Sequence, residues 1–593
     1  MYILGINGYH ADSSAAIFKD GKMIAATEEE RFRRVKHWAG FPSMAVEFCL
    51  REAGISLKEV DEIAIGRDPK AKLEKKLMFL LKNPGGGWNA VLDRIKNARK
   101  VSSLEEEFHR IEPSLSKKDI KQKIRQVEHH RSHLASAFFA SPFEEAALLS
   151  IDGSGDFTTT MIGIGRGNKI EILDSVDFPH SVGIFYTAFT QLLGFPHYGD
   201  EYKVMGLAPY GQPKYVEQLK KVIRFTEEGL FELDLKYFRS AKSGIISYGS
   251  DHMPKVAPLF TEEMEKEFGK ARKKDEPLTQ DHKDLAASVQ RFTELLIFHI
   301  LTHLQKRTGL ENVCVAGGVA QNSVANGKIT RNTPFKNVYV PSAGHDAGIS
   351  MGAALYVYNQ VLDQPRAKPI WSAYTGSKFS NDEIEAYLKS RNINYRKYSD
   401  AELYEKVADR LAEAGVIGWF NGRAEFGPRA LGARSIIADP RRKDAKDLLN
   451  AKIKRRESFR PFAPSILKEY VNEYFEVNDE VPFMEKVFPI KKEKQESIPA
   501  VTHADGTGRL QTVDKEVTPR YYALIEAFRK KTGVPILLNT SFNENEPIVN
   551  SPKDALECFL RTNMDMLVME NCVIERNHSG TPTAVADPVG GRA

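Results

Sequence analysis

Cysteine is scarce: the chain of 593 residues carries four, Cys49, Cys314, Cys558 and Cys572, far apart and with no C-x-x-C pair. This excludes a disulfide framework and a cysteine-based zinc module, and it suits small buried hydrophobes in a reducing compartment. Long apolar runs are missing too. The richest, FTELLIFHILTHL, is interrupted by Glu294, His299 and His303, and the first residues, MYILGING, lack a basic leader, so neither a membrane span nor an export signal is expected and a cytoplasmic location follows. Nor is there a marked excess of one charge: 84 basic against 79 acidic residues leave +5, which argues against a nucleic-acid partner. No solenoid or propeller period is found.

The composition that remains, 42% hydrophobic and 27% charged, is that of a folded globular protein, and the length calls for at least two cores. ILGING, SSAAIFKDG and MIAATEEE read as strands with a hairpin turn at Asp20-Gly21, and SMAVEFCLREAG reads as a helix capped by Ser43. ALLSIDGSGD, TTTMIGIG and KIEILDSV form a second strand series. NVCVAGGVAQNSVANGKI and NVYVPSAGHDAGISMGAALYVY each read as strand, glycine-containing loop and helix, which gathers ligand groups at strand ends. The pattern predicts an α/β protein with two similarly built lobes. Residues 66–126 read as an inserted helical segment interrupted by Pro84-Gly85-Gly86-Gly87, residues 363–380 as an interdomain connection, and residues 578–593 as a disordered tail. The expected domains are residues 1–365 and 366–577.

Three histidines crowd VEHHRSHLASAF at 127–138. If this stretch is helical, His129 and His133 share one face while His130 points elsewhere. Isolated H-x-x-x-H spacing is weak, since such histidines are commonly satisfied core or surface residues. IDGSGD at 151–156 and GHDAG at 344–348 change the balance, because each sets an acidic residue in a glycine-containing loop after an apolar strand. Two imidazoles and two carboxylates make a divalent-cation site. INGYHADSSAAIF adds His10 and Asp12 in the first turn, where a general base for a hydroxyl fits. In AGGVAQN, Gly317 and Gly318 let backbone approach phosphates and Asn322 orients them.

Further on, WFNGRAEFGPRALGARSIIADPR and KIKRRESFRPFAP concentrate arginines among Gly, Pro and Phe, a spacing that favours an oxyanion site over a surface salt-bridge network. GTGRLQTV supplies Arg509, and ILLNTSFNENEPIV supplies Asn539 and Ser541 at the end of an apolar strand. Together the histidine cluster, IDGSGD, HYGDEYKVMGLAPYG, AGGVAQN and GHDAG resemble the ATP-dependent O-carbamoyltransferases of antibiotic and nodulation-factor biosynthesis. The match runs in order along most of the chain.

The resemblance implies a two-lobed domain of the actin, sugar-kinase and Hsp70 type (Kae1-like), followed by a YrdC-like α/β domain. By it, His129, His133, Asp152 and Asp346 hold Fe(2+) or another divalent metal. Gly317, Gly318 and Asn322 contact nucleotide. Arg429, Lys454, Arg460, Arg509, Asn539 and Ser541 contact ATP, taken with Mg(2+), and the carbamoyl group. The implied partners are carbamoyl phosphate, ATP and a hydroxylated small-molecule acceptor, and the implied reaction runs through carbamoyl adenylate. The rivals are a carbamoyl or threonylcarbamoyl transferase acting on tRNA and an inactive nucleotide-binding scaffold. Neither the acceptor nor the oligomeric state is readable from the sequence.

Overall fold

The computed structural model describes residues 1–82, 104–240, 246–454 and 456–576. The Pro84-Gly87 interruption and the expected tail at 578–593 lie outside the described residues. The chain divides into two compact units, the first built on Met1–Ala373 with Phe426–Pro428 and Glu485–Val487, the second on the remainder.

Unit one contains two five-stranded sheets of the same topology. In the first, β1 (Tyr2–Asn7), β2 (Ser14–Lys19) and β3 (Lys22–Glu28) form an antiparallel meander. Then β4 (Glu62–Ile65) and β5 (Ile124–Gln126) add in parallel beside β1, giving the order β3-β2-β1-β4-β5. Asp20 and Gly21 both take positive φ (49° and 75°), the two-residue hairpin turn expected of an Asp-Gly pair. The second sheet repeats the plan. A meander of β6 (Glu145–Gly155), β7 (Thr158–Arg166) and β8 (Lys169–Asp177) is extended in parallel by β9 (Asn312–Ala316) and β10 (Asn337–Tyr339), in the order β8-β7-β6-β9-β10. This repeated three-antiparallel, two-parallel sheet is the two-lobed architecture expected.

Helix α1 (Ser43–Ala53) packs on β2 and β3. Ser43 is its first residue, preceded by Pro42, and makes no cap bond. The buried Glu29 carboxylate replaces it, accepting from the Met44 amide (3.2 Å) and the Ala45 amide (2.7 Å). The expected Ser43 cap is therefore corrected: a carboxylate distant in sequence meets the exposed helical N–H groups. Helices lie at Leu73–Lys82, Leu104–Ile111 and Lys117–Lys123 in the segment before β5. Between the sheets lie α2 (His129–Phe138), against β6 and β9, and α4 (Ile349–Leu355), against β1 and β2. The two pack on each other, and the long α3 (Gln280–Thr308) covers part of the second sheet. Every residue of α2 except Arg131 is buried, which is why its sequence shows no polar stripe.

Unit two is organised on a mixed nine-stranded sheet. Its strands are β11 (Arg396–Lys397), β12 (Ile417–Phe420), β13 (Arg434–Ala438), β14 (Ala463–Leu467), β15 (Lys486–Pro489), β16 (Thr507–Val513), β17 (Ile536–Ser541), β18 (Met566–Met569) and β19 (Cys572–Glu575). Their order is β11-β19-β18-β12-β13-β17-β14-β16-β15. Helices α5 (Asp400–Ala412) and α6 (Pro519–Thr532) pack against each other, with Leu403, Val407, Leu411, Leu524, Ile525 and Phe528 in the core. Among the described residues no helix is long and apolar enough to cross a membrane.

Candidate functional site

In unit one the cluster begins with a helix cap. The Glu128 side chain accepts from the Arg131 amide (2.8 Å), fixing the start of α2 so that His129 and His133 fall one turn apart on one face. Asp152 sits on β6 beyond its apolar run, and Asp346 opens a short turn after β10. One ligand atom from each of these four buried residues lies within 4.8 Å of all the others. His129 Nε2 is 3.2 Å from Asp152 Oδ2 and 3.6 Å from Asp346 Oδ1, and His133 Nε2 is 3.4 Å from Asp346 Oδ1.

Close approach has a steric requirement. A Cβ on Gly155 would stand 2.1 Å from the His129 ring, so only glycine lets the β6 end pass. Burial favours neutral imidazole, yet the two carboxylates outweigh it and raise His133 to about 9. Burial opposes the ionised form of Asp152, but His129 and His133 hold its pKa well below the usual range. Two nitrogens and two oxygens converging in a buried space, with Asp346 Oδ1 lacking a hydrogen bond among the described residues, fit a divalent transition metal. His130, the third histidine, is a satisfied core residue, with Nδ1 2.7 Å from Ser150 Oγ and Nε2 3.1 Å from the Thr158 carbonyl.

The first-turn residues divide. His10 Nδ1 lies 2.8 Å from Asp346 Oδ2, so this ring faces the cluster itself. Asp12 turns to His37 instead, with Oδ1 2.7 Å from Nδ1. Burial alone would lower His37, but the Asp12 carboxylate raises it to about 9. The Tyr198 ring stands edge-on to His37 at 5.0 Å between centroids. His37 was given no role from sequence, since nothing in TEEERFRRVKH distinguishes it from a solvated charged face.

The glycine loop after β9 is tied to the same cluster. Gly317 has φ of 101°, and a Cβ there would meet the Ile151 carbonyl oxygen at 2.2 Å. The Gly318 amide donates to Asp152 Oδ1 at 2.9 Å, orienting that carboxylate. Asn322 exchanges hydrogen bonds with Gln290 (2.9 and 3.1 Å) and accepts from the Ala325 amide (3.0 Å), so its side chain already fixes a helix start.

In unit two, strand alternation builds a polar face. Residues paired across a ladder share a side. Gln511 of β16 opposes Ser465 of β14, Asn539 of β17 opposes Ala463 of β14 and Ile437 of β13, and Ser541 opposes Ser435. Thr507, Arg509 and Gln511 therefore line the same face as Ser465, Asn539 and Ser541. Arg509 is pushed well below the ordinary guanidinium value by burial, then by the like charges of Arg429, Arg456 and Arg460. Burial also lowers Arg429, to about 10. Neither Arg429 nor Arg509 bonds a carboxylate among the described residues. At the turn before β16, His503 Nδ1 lies 3.1 Å from Thr507 Oγ1, and burial together with Arg509 and Lys446 lowers it to about 4.

The neighbouring arginines serve the fold. Arg434 is fully buried and donates to the carbonyls of Asn421, Gly422, Ala433 and Ser377, Arg423 donates to those of Thr375 and Gly376, and Arg441 grips Asp439. Within WFNGRAEFGPRALGARSIIADPR, the arginine that these contacts leave for a site is Arg429. Lys454 is 2% exposed, and its ammonium donates to the Ser541 carbonyl (2.6 Å), the Asn543 carbonyl (2.7 Å) and Asn543 Oδ1 (2.7 Å). In this arrangement it ties the loop after β17. Arg460 lies 3.6 Å from Glu457. Arg456 and Gln511 were not singled out from sequence, although period-two alternation in GTGRLQTV places Gln511 beside Arg509.

Comparison with known proteins decides the family. The family description "Carbamoyltransferase N-terminus" matches residues 2–355, and "Carbamoyltransferase C-terminus" matches residues 408–576. The chain belongs to the carbamoyltransferase family. Nodulation protein NolNO of Sinorhizobium fredii is 39% identical over 96% of this chain and 80% of that protein. An uncharacterized protein of Synechocystis sp. is 44% identical over 97% of both. A solved HypF of T. kodakarensis, at 15% identity and a TM-score of 0.32 over 61% of this chain and 48% of that one, is too distant to argue from. As a carbamoyltransferase the protein is an enzyme that moves carbamoyl groups, and the two matched regions carry the metal-type cluster and the arginine-lined face respectively.

Proposed function

We propose that this carbamoyltransferase forms carbamoyl adenylate in its second unit and transfers the carbamoyl group to a hydroxyl of a small-molecule acceptor, such as a natural product, in its first. The observation that carries the reading is the arginine-lined polar face. Arg429 and Arg509 are held close to one another and, among the described residues, without a carboxylate partner, an arrangement unfavourable to folding unless an anionic ligand offsets it. Phosphate oxygens of ATP and carbamoyl phosphate supply that charge.

In the first half-reaction, water cleaves the carbamoyl carbon from phosphate, and a carbamate oxygen bonds to the α-phosphorus of ATP as the bond to pyrophosphate breaks. One carbamoyl phosphate, one ATP and one water give carbamoyl adenylate, phosphate and pyrophosphate. Arg429, Arg509 and Arg460 stabilise charge on the departing phosphates, while Lys454 holds the Ser541 end of β17 in place. In the second, the acceptor oxygen bonds to the carbamoyl carbon, AMP leaves, and the hydroxyl proton goes to a base in the first unit. His10 and Asp12 are the candidates, Asp12 lying 2.7 Å from the His37 ring that holds it in place.

His129, His133, Asp152 and Asp346 would hold the divalent metal, iron by family resemblance, which when bound supplies Lewis acidity toward a carbonyl oxygen. Gly317 and Gly318 offer a close backbone approach for nucleotide, and Asn322 supports their loop. The test is pyrophosphate release from ATP with carbamoyl phosphate, followed by mass-spectrometric screening of hydroxylated acceptors for a gain of one carbamoyl group. Release of ADP in place of pyrophosphate contradicts the adenylate route.

A further inference from the structure

His503, in the turn before β16, is a histidine outside the metal-type cluster. Backbone bonds from the His503 amide to the Thr507 carbonyl (2.8 Å) and from the Gly506 amide to the His503 carbonyl (3.0 Å) close the turn, with Gly506 at φ of 77°. Inside it the direction of each side-chain bond is fixed. An ionised carboxylate can only accept, so the Thr507 hydroxyl gives its hydrogen to Asp505 Oδ1, at 2.7 Å. The hydroxyl oxygen then has only lone pairs for His503 Nδ1, 3.1 Å away, and that nitrogen must carry the hydrogen of the neutral ring. Nε2 is left as a bare lone pair, buried and without a hydrogen-bond partner among the described residues. Thr507 shares one side of β16 with Arg509, so the imidazole stands at the end of the arginine-lined face.

A bare buried nitrogen needs either a donor from a ligand or a proton of its own. The charges around it decide which. Burial disfavours the imidazolium, and Arg509 on β16 and Lys446 on the helix Ala445–Leu449 add like charge, while Asp505 in the turn itself opposes them. Lys446 is held there by its bond to the Thr502 carbonyl (2.8 Å). Phosphate oxygens on the face reverse the balance: they offset Arg509 and Lys446, and they offer an acceptor to an Nε2–H. Resting on the carbamoyl-adenylate reading, we infer that His503 is a catalytic residue of the first half-reaction, taking one proton from solvent at Nε2 as ATP binds and giving it to the departing pyrophosphate. As the bond from the α-phosphorus to the bridging oxygen breaks, the electron pair stays on that oxygen, which takes the proton, and His503 returns to its neutral form. The arginines supply fixed charge, and the histidine supplies a proton that can leave.

The experiment is calorimetric titration of the full chain with inorganic pyrophosphate at pH 7, in buffers of different ionisation enthalpy, which counts the protons taken up on binding. The wild type is expected to take up about one-half to one proton more than His503→Asn, whose Nδ2 keeps the bond to Thr507 while nothing remains at the Nε2 position. His503→Gln, with a permanent N–H there, is expected to bind pyrophosphate more tightly than His503→Asn and to match it in protons. Pyrophosphate release from ATP with carbamoyl phosphate should fall at least about 100-fold in both. Sulfate, which has no proton to exchange at pH 7, repeats the count on the wild type without any variant, and about one-half to one proton is again expected. Equal counts in the wild type and His503→Asn overturn the assignment, and so does sulfate binding with no uptake, because Nε2 would then serve a ligand donor or none. If the wild type binds neither anion, the phosphate-site reading itself fails, and the inference falls with it.

Discussion

Replacing Arg509 with Met separates the demands of ligand binding from those of folding. Two like charges held roughly 8 Å apart at an effective dielectric of about 20 repel by about 2 kcal/mol. Arg509 stands among three cations, Arg429, Arg456 and Arg460, and burial adds to the cost. Relaxation and counterions screen part of this, and the lost packing of the arginine stem offsets more. Arg509→Met is therefore expected to stabilise the ligand-free protein by about 1–3 kcal/mol. It also removes a phosphate donor, so pyrophosphate release should fall at least about 100-fold, the size expected of a charge-stabilising group in a site. Thermal unfolding with and without pyrophosphate is the assay. The wild type should be raised by pyrophosphate, whereas the variant starts higher and responds little. A variant less stable than the wild type by more than about 1 kcal/mol, yet equally protected by pyrophosphate, refutes the reasoning, because Arg509 would then be a structural cation like Arg434.

Other outcomes follow from the remaining geometry. Gly155→Ala drives a methyl group into the His129 ring and should release the bound metal, as measured by elemental analysis, with little change in the unfolding of unit two. A chelator should lower the unfolding temperature of the metal-loaded wild type by several degrees but leave His133→Ala unchanged. Asp12 raises His37, so the pair stabilises fully below the unfolded histidine value of 6.5 and loses that contribution as pH rises through about 9. Denaturant unfolding of His37→Asn against wild type should show a difference of about 1 kcal/mol near pH 6 that vanishes near pH 10, since a partly exposed pair is screened by solvent. Lys454→Met strands the half-buried Ser541 carbonyl and the buried Asn543 carbonyl and should destabilise the protein by about 2–3 kcal/mol in denaturant titration.

Much of the fold was legible because its signals are local. The Asp20-Gly21 turn, the apolar strands and the glycine-containing loops are each specified within a few residues. The histidine pair and the acidic loops were legible because i,i+4 spacing on a helix and carboxylates after apolar strands are patterns within single segments, whereas the choice of Asp152 over Asp156 in IDGSGD came only with the family resemblance. Contacts between segments were not. Glu29 capping α1 and Asp12 turning to His37 depend on tertiary approach, which charged side chains in a mixed-charge stretch do not advertise. The arginines of the second unit show the same limit: composition marked the stretch, but only hydrogen-bond partners separate Arg434, consumed by four carbonyls, from Arg429. Gln511 lay within reach of strand periodicity once β16 was paired with β14.

The most direct measurement is product analysis of the purified protein supplied with ATP, magnesium and carbamoyl phosphate in the absence of an acceptor. The account predicts pyrophosphate and a protein-bound carbamoyl adenylate detectable by mass spectrometry, both lost in Arg429→Ala and Arg509→Met. Turnover that yields ADP and no pyrophosphate, or an adenylate formed undiminished by both variants, contradicts it.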